Sequence, residues 1–293
     1  MLASFNIYFA EPSSGISTLK CSICGEKFIY FCNICTSEIN RIVNMGKETD
    51  INCDMGEGVD NERLLMPYIS SANIACGGHA GDPATMTRVL QLSVKHNVKA
   101  GAHPGYPDPH NFGRKSMKIS GNALVSSIKI QVDSLVRIAA DLGVRLYHIK
   151  PHGALYNDAA NDEKLALLFL EAVEGYKNVC RLFLPPESVI AEKASEKGFS
   201  LIFEAFADRN YNDDLTLVSR SNPDAVIHEP EDVLQHMLNI IEHGKVKTLS
   251  GKMKSLNAST FCIHGDHENS VHIARYIYEE LKERGYVKKK GAG

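Results

Sequence analysis

From about residue 48 the chain repeats one local plan: a short apolar run, a cluster of glycines with charged or imidazole side chains, then an amphipathic stretch. The segments "TDINCDMG" (49–56), "SANIACGG" (71–78), "VKAGAHPG" (98–105), "VRLYHIKP" (144–151), "CRLFLP" (180–185), "LIFEAFAD" (201–208) and "ASTFCIHG" (258–265) read as strands. Helical patterns separate them. Asp82 is placed to cap the first, with Pro83 at its opening position and Met86, Val89, Leu90 and Val94 at helical spacing. A long helix is predicted over 121–141, and others near 161–174, in "PESVIAEKASEKG", over 231–244 and over 267–284. Strands that alternate with helices predict a mainly parallel sheet.

An open doubly wound sheet and a closed barrel share that alternation, and the polar residues separate them. Six of the strand candidates end in reactive groups: Asp54 and Glu57; His79; His103; Lys150 and His152; Asp208 and Arg209; His264 and Asp266. A barrel brings the C-terminal ends of many strands to one mouth. An open sheet collects ligand groups near its switch in strand order. Seven strand candidates therefore predict an irregular, seven-stranded (β/α) TIM-like barrel over 48–285. Strand parity agrees, because Asn52 shares a face with Asp54, as do His148, Lys150 and His152; Glu204, Phe206 and Asp208; and Thr260, Cys262, His264 and Asp266. Leu146 does not follow this rule.

A formal charge of -3 over 293 residues gives no basic surface for nucleic acid. The only dense basic run, "VKKKG", belongs to a C-terminal tail (286–293) that reads as solvated. No apolar run approaches the length of a membrane span, and the opening residues make a poor signal peptide, so a cytoplasmic protein is expected. Residues 1–47 form an atypical extension with Cys21, Cys24, Cys32 and Cys35 in two C-x-x-C pairs. They read either as a small structural zinc knuckle or as a metal-free, disordered extension or overlong gene start. Cys53, Cys76, Cys180 and Cys262 are scattered and expected to be reduced.

The chemistry falls to the strand ends. Asp54 and Glu57 are carboxylates that would need a cation, a base or substrate beside them if buried. His79 and His103 sit beside glycines, where backbone and ligand can approach closely. Lys150 and His152 suit a charge clamp or a proton-transfer pair. Arg114, in "FGR", offers a fork for a carboxylate or phosphate. Tyr156 and Asn157 either orient substrate or finish a turn. Asp208 and Arg209 read as a surface pair or as members of the ring. Asp266 reads as a partner for His264 or as the cap of the last helix. Asp54, His79 and His103 are the set that would hold a divalent metal. Neither G-x-x-x-x-G-K-[ST] nor G-x-G-x-x-G occurs, so the chain shows no standard nucleotide loop.

The ordered set "DINCDMGEG", "SANIACGGHAGDP", "GAHPGYPD…FGR", "IKPHGALYN", "FEAFADRNY" with "LVSRS", and "CIHGD" resembles the LamB/YcsF family over about residues 50–283. The resemblance implies a deviating (β/α) barrel of the glycoside hydrolase/deacetylase type. It implies the 5-oxoprolinase reaction, the ATP-dependent opening of 5-oxo-L-proline to L-glutamate, with this chain as the component that completes the ring opening. ATP would be used at the level of the complex, by partner subunits B and C that phosphorylate the lactam. The ten polar strand-end residues named above occupy the family's motif positions, and only the stretch before residue 48 departs from the pattern. A stand-alone metal-dependent amidohydrolase or deacetylase, and a non-enzymatic carbohydrate-binding or scaffold module, are the alternatives.

Overall fold

The structure is a computed structural model that describes residues 48–266 and 269–287, and the backbone of two short strands near the start. Those strands, Leu19–Lys20 and Lys27–Phe28, pair antiparallel. The zinc-knuckle reading of Cys21, Cys24, Cys32 and Cys35, and the charged part of the basic tail, lie outside the described residues. The chain divides into two compact units, Met1–Asn44 and Met45–Gly293.

Within the second unit seven parallel strands close into a barrel. They are β1 (Asp50–Met55), β2 (Ser71–Ala75), β3 (Lys99–His103), β4 (His148–Ile149), β5 (Arg181–Leu184), β6 (Leu201–Phe206) and β7 (Thr260–Cys262). Neighbours in the barrel are neighbours in sequence, and β7 closes the ring by pairing with both β6 and β1. Among the described residues, seven helices of eight or more residues coat the barrel: α1 (Pro83–Lys95), α2 (Gly121–Asp141), α3 (Gly153–Asn161), α4 (Glu163–Val173), α5 (Val189–Glu196), α6 (Pro230–His243) and α7 (Ser270–Glu283). Asp82 caps α1 by accepting from the Thr85 amide at 2.7 Å. Leu124, Ile128, Val132 and Leu135 form the fully buried stripe of α2. None of the described helices is long and apolar enough to cross a membrane.

Two local expectations change. The strand predicted over 144–151 is in the ladder only at His148–Ile149, so Leu146 precedes it and the parity rule never applied there. "PHGALYN" does not end in a turn, because α3 starts at Gly153 and carries Tyr156 and Asn157. Gly153 has φ +54°, and an added Cβ would lie 2.7 Å from the Gly113 carbonyl oxygen. A glycine there lets the loop before Arg114 press against the end of β4.

The barrel interior is polar for most of its height, unlike the aliphatic layers usual in such folds. Thr260 Oγ1 donates to Asp50 at 2.7 Å, and Asn52 Nδ2 donates to Thr260 at 2.8 Å and to Glu204 at 2.9 Å. Asn73 Nδ2 donates to the Asn52 and Asp54 side chains, each at 2.7 Å. His148 donates from Nε2 to Asn73 at 2.6 Å and stacks on Phe183 with centroids 3.9 Å apart. Its ring crosses Gly101, where a Cβ would lie only 2.2 Å from Nε2.

Candidate functional site

At the top of this polar column, where the C-terminal strand ends meet, lies a cavity of about 340 Å³. Asp54, His103, Lys150, His152 and His264 line its floor and walls, with Arg114, Tyr156, Asn157 and Arg220 around them. Its size is within the range of small-molecule sites.

Lys150, 2% exposed, is the central charge. Its Nζ lies 2.9 Å from Glu204 Oε1, 3.2 Å from Asp54 Oδ1 and 3.1 Å from the Cys262 sulfur. Burial alone would lower the Lys150 pKa, but the two carboxylates outweigh it and hold the ammonium charged, well above its ordinary value. Burial would likewise raise the Asp54 carboxyl, but His103 and Lys150 hold it well below the usual carboxylate range. Asp54 is therefore an anion of low basicity.

Glu57 joins three imidazoles. Its Oε1 is 3.0 Å from His79 Nε2, 3.3 Å from His152 Nδ1 and 3.9 Å from His103 Nε2. Burial and the Asp54 charge push the Glu57 carboxyl up to about 7. Burial and His103 push His79 down to about 2, and burial with the neighbouring rings pushes His152 well below its ordinary value. The His79 and His152 rings stack with centroids 3.4 Å apart.

On the other wall, Asp208 is fully buried, accepting from the His264 amide and from its Nδ1–H, each at 2.8 Å. That fixes the tautomer and turns Nε2 of His264 toward the cavity. The orienting carboxylate for His264 is thus Asp208, 56 residues away, and not its neighbour Asp266. Asp266 accepts from Arg114 and lies 3.7 Å from Arg220, while the N-cap position of the last helix is Asn269, whose side chain makes no capping hydrogen bond. Arg209 borders the cavity, but its guanidinium donates to the carbonyls of Ala225 at 3.1 Å and Val218 at 2.6 Å. It braces the 209–226 loop that overhangs the site. Tyr156 is buried and Asn157 exposed on α3, and both face the cavity wall.

Sequence reasoning passed over Glu204, Asn52 and Cys262 as partners of Lys150, and Asn73 as a partner of Asp54. The alternation that placed Glu204 with Asp208, and Cys262 with His264, was the available signal. Arg220 stands in "LVSRS", a segment with no strand or helix pattern to give it a direction.

A closed parallel barrel whose strand ends gather a buried ammonium, an acid–imidazole dyad and paired guanidiniums defines a barrel protein built to handle a small polar molecule. The chain belongs to the LamB/YcsF family, which it matches over residues 49–292. It is 41% identical over 242 residues to the 5-oxoprolinase A subunit of Syntrophobacter fumaroxidans, covering 81% of this chain and 96% of that one. It is 38% identical over 239 residues to the protein of that name from Bacillus cereus, covering 80% and 94%. Among solved structures, the lactam utilization protein of Thermus thermophilus superposes with a TM-score of 0.77 at 34% identity, covering 83% of this chain and 99% of that one.

Proposed function

We infer that this chain is the A subunit of an ATP-hydrolysing 5-oxoprolinase, the component that opens the ring of 5-oxo-L-proline to give L-glutamate. Identity of about 40% to proteins of that name, along nearly their whole length, carries this reading. The cavity supplies the chemistry.

A lactam carbonyl is deactivated by resonance with its nitrogen, and water attacks it poorly. We assign the activating step to partner subunits B and C, which would transfer the ATP γ-phosphoryl group to the lactam oxygen and leave a C=N bond in the ring. Water then adds to the ring carbon and its proton passes to His264 Nε2, with Asp208 stabilising the imidazolium. The imidazolium passes that proton to the ring nitrogen, and the proton of the new hydroxyl follows to the same nitrogen as the carbonyl re-forms and the carbon–nitrogen bond breaks, leaving a free amine and an acyl phosphate on the opened chain. A second water releases phosphate and glutamate. Lys150 lies at the floor as a fixed positive charge toward the developing oxyanion. Arg114 and Arg220, paired with Asp266 at the rim, are placed to turn to the substrate carboxylate or the phosphate. Of Asp54 and His264 as candidates for the base, the geometry favours His264, because Asp54 is committed to Asn73, Lys150 and His103. The four free, buried thiols among the described residues suit a reducing compartment, and we place the chain in the cytoplasm.

The test is reconstitution with the two partner subunits, 5-oxoproline and ATP, following glutamate and ADP together. Glutamate should form only when every component is present. Ring opening by this chain alone, or a complete assembly that hydrolyses ATP and makes no glutamate, would refute the assignment.

A further inference from the structure

The two histidines at the cavity floor present a bookkeeping problem in hydrogens. His103 Nδ1 is 2.9 Å from the Lys150 carbonyl oxygen, and His152 Nε2 is 2.9 Å from the Phe112 carbonyl oxygen. A carbonyl oxygen only accepts, so each of these nitrogens carries the hydrogen of its ring. In neutral rings the remaining nitrogens, His103 Nε2 and His152 Nδ1, are bare lone pairs. They face each other at 2.9 Å. Two lone pairs at that distance repel unless something positive lies between or beside them. The surroundings ask for the same thing: Glu57 Oε1 is 3.3 Å from His152 Nδ1, and Asp54 Oδ1 is 3.4 Å from His103 Nε2.

We propose that Glu57, His79, His103 and His152 bind one divalent first-row transition-metal ion at the floor of the cavity. One donor atom from each lies within 4.8 Å of every other. Four of the six separations between these donors, 2.9, 3.0, 3.3 and 3.9 Å, bracket the edge of about 3.4 Å expected for a tetrahedron of ligands about 2.1 Å from a metal. The carbonyls of Lys150 and Phe112 hold the far nitrogens, which is the usual outer support of a metal-bound imidazole. Three nitrogens and one carboxylate oxygen suit zinc, cobalt, iron(II) or manganese, and not calcium or magnesium, which take oxygen. The stacked rings of His79 and His152 must splay toward the ion, a motion about the broad terminal torsion of histidine. His79 Nδ1, buried and without a hydrogen-bond partner, does not anchor its ring against that motion. A second grouping, Asp54, Cys262 and His264, does not compete, because Lys150 Nζ already lies 3.2 Å from Asp54 and 3.1 Å from Cys262.

The proposal is independent of the lactam reading, and its test needs neither partners nor ATP. The full-length chain is prepared with Cys21, Cys24, Cys32 and Cys35 all changed to Ser, so that thiolates near the start cannot contribute. It is stripped with chelator, loaded with Co²⁺ or Zn²⁺, gel-filtered and measured for metal content. One ion per chain is expected. The Co²⁺ form should show visible bands of low coordination number without an intense thiolate band in the near ultraviolet. His103→Gln with His152→Gln should weaken binding at least tenfold, and the milder Glu57→Gln should weaken it while leaving the circular dichroism unchanged. A stripped and reloaded chain that retains no metal would overturn the proposal, leaving a shared proton between the two rings as the positive charge. Retention of metal as tightly by folded Glu57→Gln as by the parent would overturn it equally.

Discussion

Lys150 can be removed with little change in shape by Lys150→Met, which keeps an unbranched side chain and deletes the charge. The structure sets the scale. The ammonium is buried against two carboxylates at 2.9 and 3.2 Å, and one of them, Glu204, is itself 1% exposed. Breaking a buried pair by removing one partner costs about 3–5 kcal/mol. For a domain of this size that is a fall in Tm of roughly 6–20 °C. Asp54 keeps Asn73 and His103, whereas Glu204 loses its cation and keeps the neutral Asn52 amide. Glu204→Gln in the Lys150→Met background should therefore recover about 1–3 kcal/mol. The pH dependence has a definite sign. In the wild type Asp54 is held low, so its contribution is present above about pH 4 and is lost as pH falls through its folded pKa. In Lys150→Met the stranded carboxyls are raised instead, and a raised acid stabilises only below its unfolded value and loses that as pH rises. The deficit should thus grow from about pH 5 to about pH 8. Urea unfolding of chelator-treated protein at both pH values measures it. A loss under about 1 kcal/mol, equal at the two pH values, would refute the claim that this charge holds the barrel floor together.

Other expectations follow from the same geometry. Asp208→Asn removes the acceptor that orients His264, and in the reconstituted complex kcat should drop about 10²- to 10⁴-fold with KM little changed; a kcat near wild type would exclude His264 as the base. Gly101→Ala places a Cβ 2.2 Å from His148 Nε2, inside the barrel, and should cost about 1–3 kcal/mol or more in urea unfolding. His236, buried under the overhanging loop, is pushed down to about 4 by burial, so its contribution to stability is full above pH 6.5 and is lost on acidification toward pH 4. His236→Leu should flatten the acid limb of the stability profile by up to about 3 kcal/mol across that window, and an unchanged slope would contradict the assignment.

Seven strands were legible because each is a short apolar run set between helical patterns, and six of the seven end in charged or imidazole groups, which a parallel barrel gathers at one mouth. Helical spacing placed Leu124, Ile128, Val132 and Leu135 on the buried stripe of α2, whereas Ile138 is only partly buried and Ala139 is buried instead. What was not legible depends on contacts between distant residues. The periodicity in "GALYN" is too short to distinguish a nine-residue helix from a turn, and only the packing of Gly153 on Gly113 decides it. Asp266 is nearest to His264 in sequence, but the barrel seats Asp208 beside that ring because β6 and β7 are hydrogen-bonded neighbours. Arg209 read as half of a surface pair with Asp208 or as a member of the ring of polar strand ends. Its guanidinium instead meets the carbonyls of a loop whose path no local pattern reveals.

The strand that closes the barrel is also the last of the seven to leave the ribosome. Until Thr260–Cys262 docks between β6 and β1, Asn52 lacks its Thr260 partner, and the imidazole meant for Asp208 has not arrived. A nascent or truncated chain ending before residue 260 lacks the strand that shields Lys150 and Glu204 from water, so the buried charge pair that holds the barrel floor cannot form. Completion of the fold and assembly of the reactive cleft are therefore one event. A shortened product of this gene should be an unfolded chain for the quality-control machinery to clear, with no partly active intermediate form.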